Sequence, residues 1–211
     1  MVRGIELFKE YFANYTDKYI LIGGAACTVL MEEAGLPFRA TKDLDIVLCV
    51  EALDAEFVNA FWAFIKDGRY QNRQKSTGEK IFYRFSSPAD KTYPEMLELF
   101  SRAPDALALT ENSHLTPIPV DEEASSLSAI LLDDAYYQFI NEGTRKVNGL
   151  RLLVAEHMIP LKAKAWLDMK ALTEKGIAIQ SVDVKKHHND IFRLYQLLSP
   201  DRRNELPEPV R

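Results

Sequence analysis

Apolar and polar residues follow two different periods along this chain. Short apolar runs bounded by glycine, proline or charged residues predict strands at residues 19–22, 44–50, 81–85, 96–100 and 149–154. Apolar positions that recur every three or four residues predict helices at 5–15, 25–33, 53–65, 155–173 and 184–198. Residues 129–140 fit either period, and the prolines within 104–119 favour a loop there.

The order of these elements predicts a mixed α+β fold. Strands and helices alternate in residues 1–154, whereas residues 155–211 are helical. We therefore expect a sheet with flanking helices, followed by a C-terminal helical part, with a boundary near Val154 and a ligand cleft between the two parts. Pro200 and Pro207 predict a short mobile tail.

Asp43 and Asp45 are separated by two positions in a predicted strand. Residues at this spacing face the same side of a strand, so both carboxylates point at one spot while the apolar neighbours face the core. Paired hard oxygens of this kind suit a magnesium ion that holds a nucleoside triphosphate. The alternative is two solvent-facing acids at the edge of a sheet.

Gly23 and Gly24 follow a predicted strand and precede a predicted helix. A residue without Cβ allows the backbone to approach a phosphate closely, and the N-terminus of a helix favours an anion. The pattern of strand, Gly-Gly, helix and Asp-x-Asp strand therefore favours a nucleotide site over a purely structural turn.

Lys162 and Lys164 lie in the strongly apolar helix predicted at 155–173. Lysine is rarely buried without a partner, so we expect one of the two to face the cleft and to neutralise phosphate charge. The alternative is a lysine that snorkels along a surface face. Because Lys164 precedes Asp168 by four residues, these two can form an ordinary helix ion pair.

Composition is that of a globular chain without a membrane segment. Hydrophobic residues make up 47% and charged residues 27% of the 211 positions, and no apolar run of about 18 residues is present. The N-terminus lacks the features of a signal peptide, and Cys27 and Cys49 are expected to be buried free thiols, so the sequence predicts a cytoplasmic protein. A net charge of −5 argues against a general nucleic-acid coat protein.

The Gly23-Gly24 and Asp43-x-Asp45 motifs together resemble the DNA polymerase beta-like nucleotidyltransferase superfamily. The form Arg39-x-Thr41-x-Asp43-x-Asp45 resembles its abortive-infection branch, the AbiEii-type toxins and the related MenT proteins. Many superfamily members have Gly-Ser where this chain has Gly-Gly, which removes a hydroxyl that can contact phosphate.

The resemblance extends over roughly residues 19–198. The segment around Lys162 and the Lys186-x-x-x-Asp190 stretch are similar to the C-terminal lysine and Lys-x-x-x-Asp motifs of the same branch. The match of Ala165, three positions on, favours Lys162 over Lys164 as the site lysine. His187 and His188 are expected to be surface or packing residues rather than metal ligands.

The resemblance also implies further site residues. Arg39 and Thr41 would bind the triphosphate together with the glycines and Lys162. Glu98, in the strand predicted at 96–100, would be a third carboxylate that serves as a metal ligand or general base. Asp190 would orient a lysine or an acceptor hydroxyl. The implied catalytic set is Asp43, Asp45, Glu98, Lys162 and Asp190.

The implied activity is a magnesium-dependent transfer of a nucleoside monophosphate from a nucleoside triphosphate to an acceptor hydroxyl, with two Mg2+ ions. The acceptor would be a tRNA end or a protein hydroxyl, and the protein a toxin of a toxin–antitoxin or phage-defence system with a cognate antitoxin. The alternatives are a catalytically degenerate nucleotide- or partner-binding protein of this fold, and a nucleotidyltransferase that modifies a small molecule such as an antibiotic.

Overall fold

The computed structural model describes residues 2–72, 82–101, 134–201 and 203–211. Within these ranges the strands are β1 Tyr19–Ile22, β2 Asp43–Leu48, β3 Gln71–Asn72, β4 Phe82–Ser86, β5 Met96–Phe100, β6 Thr144–Val147 and β7 Leu150–Leu153. The helices are α1 Ile5–Tyr11, α2 Gly23–Glu33, α3 Ala55–Asp67, α4 Asp134–Glu142, α5 Ala155–Glu174 and α6 Ser181–Tyr195. Short 3-10 turns lie at Ala13–Tyr15, Val50–Ala52 and Glu208–Val210.

The strands form one seven-stranded sheet in the order β3-β4-β5-β2-β1-β7-β6. The pairs β2–β5 and β1–β7 are parallel, and the other neighbours are antiparallel. This mixed sheet with its helices confirms the predicted α+β class. In the register of β2 and β5, Asp43 lies opposite Met96 and Asp45 lies opposite Glu98, so acids from two separate segments are neighbours.

The centre of the sheet is fully buried. All four residues of β1 are buried, and α2 buries every residue from Gly24 to Met31. A helix that is apolar on all sides is stable only inside the core. The burial of α2 therefore fixes the position of its first residues relative to the sheet. Cys27 and Cys49 are buried free thiols, as the sequence predicts.

An aromatic cluster packs α1 against α3. Its members, each at most 2% exposed, are Phe8, Phe12, Phe57, Phe61 and Phe64. The α3 helix begins directly after Asp54, whose side chain accepts a hydrogen bond from the Phe57 N–H at 2.8 Å and so caps the helix. Only one 3-10 turn separates β2 from α3, so the packing of α3 in this cluster also fixes the C-terminal end of β2.

Several predicted elements differ from the structure. Helix α4 covers the described part of the segment 129–140 that fits both periods, and it buries the side chains of Tyr136, Tyr137, Phe139 and Ile140. The β6 strand was not predicted, because its sequence Thr-Arg-Lys-Val is polar and lies at the edge of the sheet. The prediction of a mobile tail is wrong at Val210, which is 8% exposed and packs into the core. The loop predicted at 104–119 lies outside the described residues.

The C-terminal helices α5 and α6 pack against each other, and α5 also contacts α2. Because β7 leads through Val154 into α5, this helix pair is tied directly to the sheet. The division into parts 1–154 and 155–211 stays a prediction. Within the described ranges, no helix has the length and apolar content needed to cross a membrane.

Candidate functional site

A cavity of about 300 Å³ lies where the first residues of β2, β5 and α2 meet helices α5 and α6. Eight of the predicted site residues line this cavity: Gly23, Gly24, Arg39, Thr41, Asp43, Asp45, Glu98 and Lys162. Residues from four distant parts of the sequence are thus brought together around one space of the size typical for small-molecule sites.

Asp43 and Asp45 face the cavity, whereas Leu44 and Ile46 between and after them are at most 1% exposed. Burial, followed by the charge of Glu98, raises the pKa of Asp43. Burial and the neighbouring Glu98 and Asp43 likewise raise the pKa of Asp45. The carboxylates therefore crowd negative charge into a poorly solvated place, and a divalent cation would relieve that repulsion.

The donor set fits magnesium that arrives with a phosphate. Within the described ranges, no three His, Cys, Asp or Glu side chains are grouped so that they could hold a metal ion by themselves. Magnesium in nucleotide sites is nevertheless commonly bound by one or two carboxylates, with phosphate oxygens and waters completing the coordination. Asp43 and Asp45 can supply those two carboxylates.

Glu98 lies in the same cavity but is bonded to Arg84. The Arg84 Nε donates to Glu98 Oε1 at 2.7 Å, and Arg84 Nη2 lies 2.6 Å from the same oxygen. The two residues are opposite each other on β4 and β5. The assignment of Glu98 as a third metal ligand or base stays a prediction. Arg84 was missed because only the strand register shows that it reaches this site.

Both glycines are required by close contacts. Gly23 has φ +64°, and a Cβ placed on it would lie 1.7 Å from Asp45 Oδ2. A Cβ on Gly24 would lie 2.7 Å from Thr41 Oγ1 and 3.3 Å from Arg39 Nη2. The missing side chains therefore allow the N-terminus of α2, which favours anions, to sit directly beside a carboxylate and a guanidinium.

Asp190 is fully buried and binds three cations. Arg39 grips it with two nitrogens, Nε to Oδ1 at 3.0 Å and Nη2 to Oδ2 at 2.9 Å. Lys162 Nζ donates to Oδ2 at 2.9 Å, and Arg193 Nη1 donates to Oδ1 at 3.3 Å. Burial alone would raise the pKa of Asp190, but the hydrogen bonds and charges of Arg39 and Lys162 outweigh it, so the pKa is lowered.

Asp190 does not itself line the cavity, whereas Arg39 and Lys162 do. Its geometry is that of an anchor that holds these two cations toward the cavity. Lys162 is only 5% exposed, as expected for a lysine with a buried carboxylate partner. Lys164 instead forms the helix ion pair with Asp168, and its side chain is 42% exposed.

The two histidines of α6 have different surroundings. His187 and the adjacent Lys186 line the cavity. The expectation that His187 is a surface or packing residue rather than a metal ligand stays a prediction. His188 packs between Trp166 and Phe192, with ring centroids 5.1 and 5.0 Å away. Lys186 and His187 precede Asp190 by four and three residues and so share its side of the helix, a spacing visible in the sequence.

Comparisons with known proteins found similarity among solved structures. No protein-family model matches the chain, and no curated protein matches it. Among solved structures, the chain is similar to an antigenic nucleotidyltransferase-like protein from Paracoccidioides brasiliensis. The TM-score is 0.46 and the identity 18%, over 93% of this chain and 78% of that one. A similarity at this level does not assign the chain to a family, so its function is inferred from the site.

Proposed function

We propose that this chain is a magnesium-dependent nucleotidyltransferase, which transfers a nucleoside monophosphate from a nucleoside triphosphate to an acceptor hydroxyl. The observation that carries the proposal is the distribution of charge around one cavity. Asp43 and Asp45 project from the sheet, whereas Lys162 and Lys186 project from the helices α5 and α6. A triphosphate with bound magnesium presents both charges and fits between these walls.

The phosphate groups are the part of the substrate that the cations bind. Arg39 and Lys162 are held toward the cavity by Asp190, and Gly23-Gly24 opens the N-terminus of α2 to an anion. When bound, magnesium would be held by Asp43 and Asp45 and would neutralise charge that develops on the phosphates. Contacts with the cations on one side and with the magnesium on the other would orient the α-phosphate toward Asp43 and Asp45.

In the proposed reaction, the acceptor hydroxyl oxygen forms a bond to the α-phosphorus. The bond from that phosphorus to the oxygen bridging to the β-phosphate breaks, and pyrophosphate leaves with the bonding electrons. The hydroxyl proton passes to a carboxylate of the site or to solvent. Lys162 stabilises the negative charge on the departing pyrophosphate, and Asp190 fixes Lys162 in the position for this role.

The second candidate is a catalytically degenerate protein that binds a nucleotide without chemistry. The observation in its favour is the Arg84–Glu98 ion pair, because it engages the carboxylate that would complete a three-acid site. An active enzyme of the proposed kind would use Asp43 and Asp45. Glu98 would then either be released from Arg84 or stay bound to Arg84 and hold that arginine in position.

Transfer of label decides between the two candidates. The protein is incubated with magnesium and each α-phosphate-labelled nucleoside triphosphate, in the presence of tRNA, protein extract or aminoglycosides as acceptors. Label on one acceptor, lost with a chelator and in the Asp43→Asn/Asp45→Asn variant, supports the enzyme and identifies its acceptor class. Triphosphate binding without any transfer of label contradicts the enzyme and supports the degenerate protein.

For the biological setting we propose a toxin of a toxin–antitoxin or phage-defence system, with a tRNA end or a protein hydroxyl as acceptor. The support is the resemblance of the Arg39-x-Thr41-x-Asp43-x-Asp45 motif to the abortive-infection branch. Induced expression in a bacterial host is expected to arrest growth with the wild-type protein but not with Asp43→Asn/Asp45→Asn. Equal growth of the two strains at equal protein levels contradicts the toxin role. In the labelling experiment, label on an aminoglycoside supports an antibiotic-modifying enzyme instead.

A further inference from the structure

His187 presents a ring nitrogen that the protein leaves unsatisfied. Its Nδ1 is buried, and within the described residues it has no hydrogen-bond partner. Buried polar atoms nearly always have a partner in folded proteins, so this nitrogen beside a cavity lacks a partner that a bound water or a ligand would supply. His187 also lines the same cavity as the aspartates and Lys162.

The imidazole of His187 is neutral at physiological pH. Burial, and then the charges of Lys162 and Lys186, lower its pKa to about 4, while Arg39 acts in the same direction and Asp190 opposes them. A neutral imidazole accepts a hydrogen bond at one nitrogen and donates one at the other. The lysine and arginine side chains of this cavity can only donate hydrogen bonds. The neutral imidazole of His187 can also accept one, so it suits an uncharged group that carries both donors and acceptors.

The wall of the cavity formed by α5 is apolar apart from Lys162. Its apolar members are Met158, Leu161, Ala165 and Met169. These positions are spaced by three or four residues and so form one face of α5. Phosphates gain nothing from this face, whereas a planar ring does, since methionine sulfur and aliphatic carbon pack well on aromatic surfaces.

We propose that His187 and the apolar face of α5 form the subsite for the nucleobase, with His187 hydrogen-bonding the polar edge of the base. This inference rests on the proposed function, because it assumes that the ligand is a nucleoside triphosphate. It divides the cavity into a phosphate region, served by the glycines and the cations, and a base region that contributes selectivity among nucleotides.

Binding measurements with two ligands test the subsite. Calorimetry in the presence of magnesium compares nucleoside triphosphates with inorganic tripolyphosphate, which has the phosphates but no base. For His187→Leu we expect about tenfold weaker binding of the preferred nucleoside triphosphate and unchanged binding of tripolyphosphate. Lys162→Ala should weaken both ligands. His187→Asn, whose amide can replace the Nδ1 position, should retain more affinity than His187→Leu.

The matched control is His188→Leu, the neighbouring histidine that packs against Trp166 and Phe192 outside the cavity lining. This control should bind both ligands as the wild type does. Thermal denaturation of each variant checks the fold. Equal weakening of both ligands by His187→Leu, or no weakening of either, overturns the base subsite while leaving the proposed enzyme standing. Failure of the wild-type protein to bind any nucleoside triphosphate overturns the proposed function and this subsite with it.

Discussion

The carboxylate of Asp45 lies directly against the α-carbon of Gly23, so that a Cβ placed on this glycine would be 1.7 Å from Asp45 Oδ2. Gly23 also has a positive φ of 64°. The glycine that opens α2 and the aspartate predicted to bind metal are therefore in contact, and a side chain at position 23 would displace the carboxylate as well as strain the backbone.

Gly23→Ala is expected to destabilise the protein more than Gly35→Ala. Gly35 also has a positive φ, +71°, but a Cβ there would meet nothing within 4 Å. The Gly35 variant should lose about 1–2 kcal/mol from its left-handed backbone alone, whereas the Gly23 variant bears the additional clash with Asp45. Urea denaturation gives both free energies of unfolding. Equal losses would show that Asp45 moves aside freely.

Asp43→Asn and Asp45→Asn should each abolish nucleotide transfer and leave the fold intact. Burial and the charge of Glu98 raise the pKa of both carboxyls, so the stability of the folded state falls as the pH rises from the ordinary aspartate value through the raised pKa values. Removal of one charge is therefore expected to leave the free energy of unfolding at pH 8 equal or higher. The measurements are label transfer and urea denaturation, with Asp168→Asn as the control for loss of a charge elsewhere. Retained transfer in the double variant would exclude the aspartates from the chemistry.

Lys162→Ala is expected to reduce kcat/KM by about 10²–10³, because a cation would be lost beside the developing negative charge. Lys164→Ala should be close to wild type, since Lys164 pairs with Asp168 on the exposed side of α5. Steady-state kinetics with the labelled triphosphate provide the comparison. A large loss in the Lys164 variant, with none in Lys162→Ala, would place the site lysine two residues further along the helix.

Asp190→Ala should lower stability as well as turnover. The change leaves Lys162 buried without its carboxylate, which typically costs about 3–5 kcal/mol. Because Asp190 positions Arg39 and Lys162 without lining the cavity, Asp190→Asn, which keeps the shape and part of the hydrogen bonding, should recover stability more than turnover. Chemical denaturation and kinetics on the same preparations separate these effects. A fully active and fully stable Asp190→Ala variant would show that Asp190 is not needed to position Arg39 and Lys162.

The His187 imidazole should make stability depend on pH between about 4 and 6.5. Its folded pKa of about 4 lies below the unfolded value, so the unfolded chain binds a proton first as the pH falls, and stability is lost across this window. Asp43 and Asp45, whose pKa values are raised, act with the opposite sign, but they are present in both the wild type and His187→Leu. The difference between wild type and His187→Leu therefore isolates the histidine, and the wild type should lose up to about 3 kcal/mol more on acidification. Parallel curves in urea titrations at several pH values would contradict a buried neutral His187.

The local pattern of the sequence determined much of the sheet around Asp43 and Asp45, although β2 runs from Asp43 to Leu48 rather than over the predicted residues 44–50. Strands β1 and β5 have the predicted limits, and the alternation around Asp43 and Asp45 predicted which side chains leave the core. These features depend on residues within a few positions of one another, since the period of a strand or helix decides the direction of each side chain. The close pairing of Lys164 with Asp168 belongs to the same class of local contacts.

Contacts between distant segments could be decided only by the tertiary structure. Asp190 meets Arg39, 151 residues away, and Glu98 meets Arg84 because the register of β4 on β5 sets them opposite each other. The same packing turns His187 into the cavity and His188 away from it. A strand register and the packing of α5 on α6 depend on the burial of many side chains at once, so no single motif in the sequence specifies them.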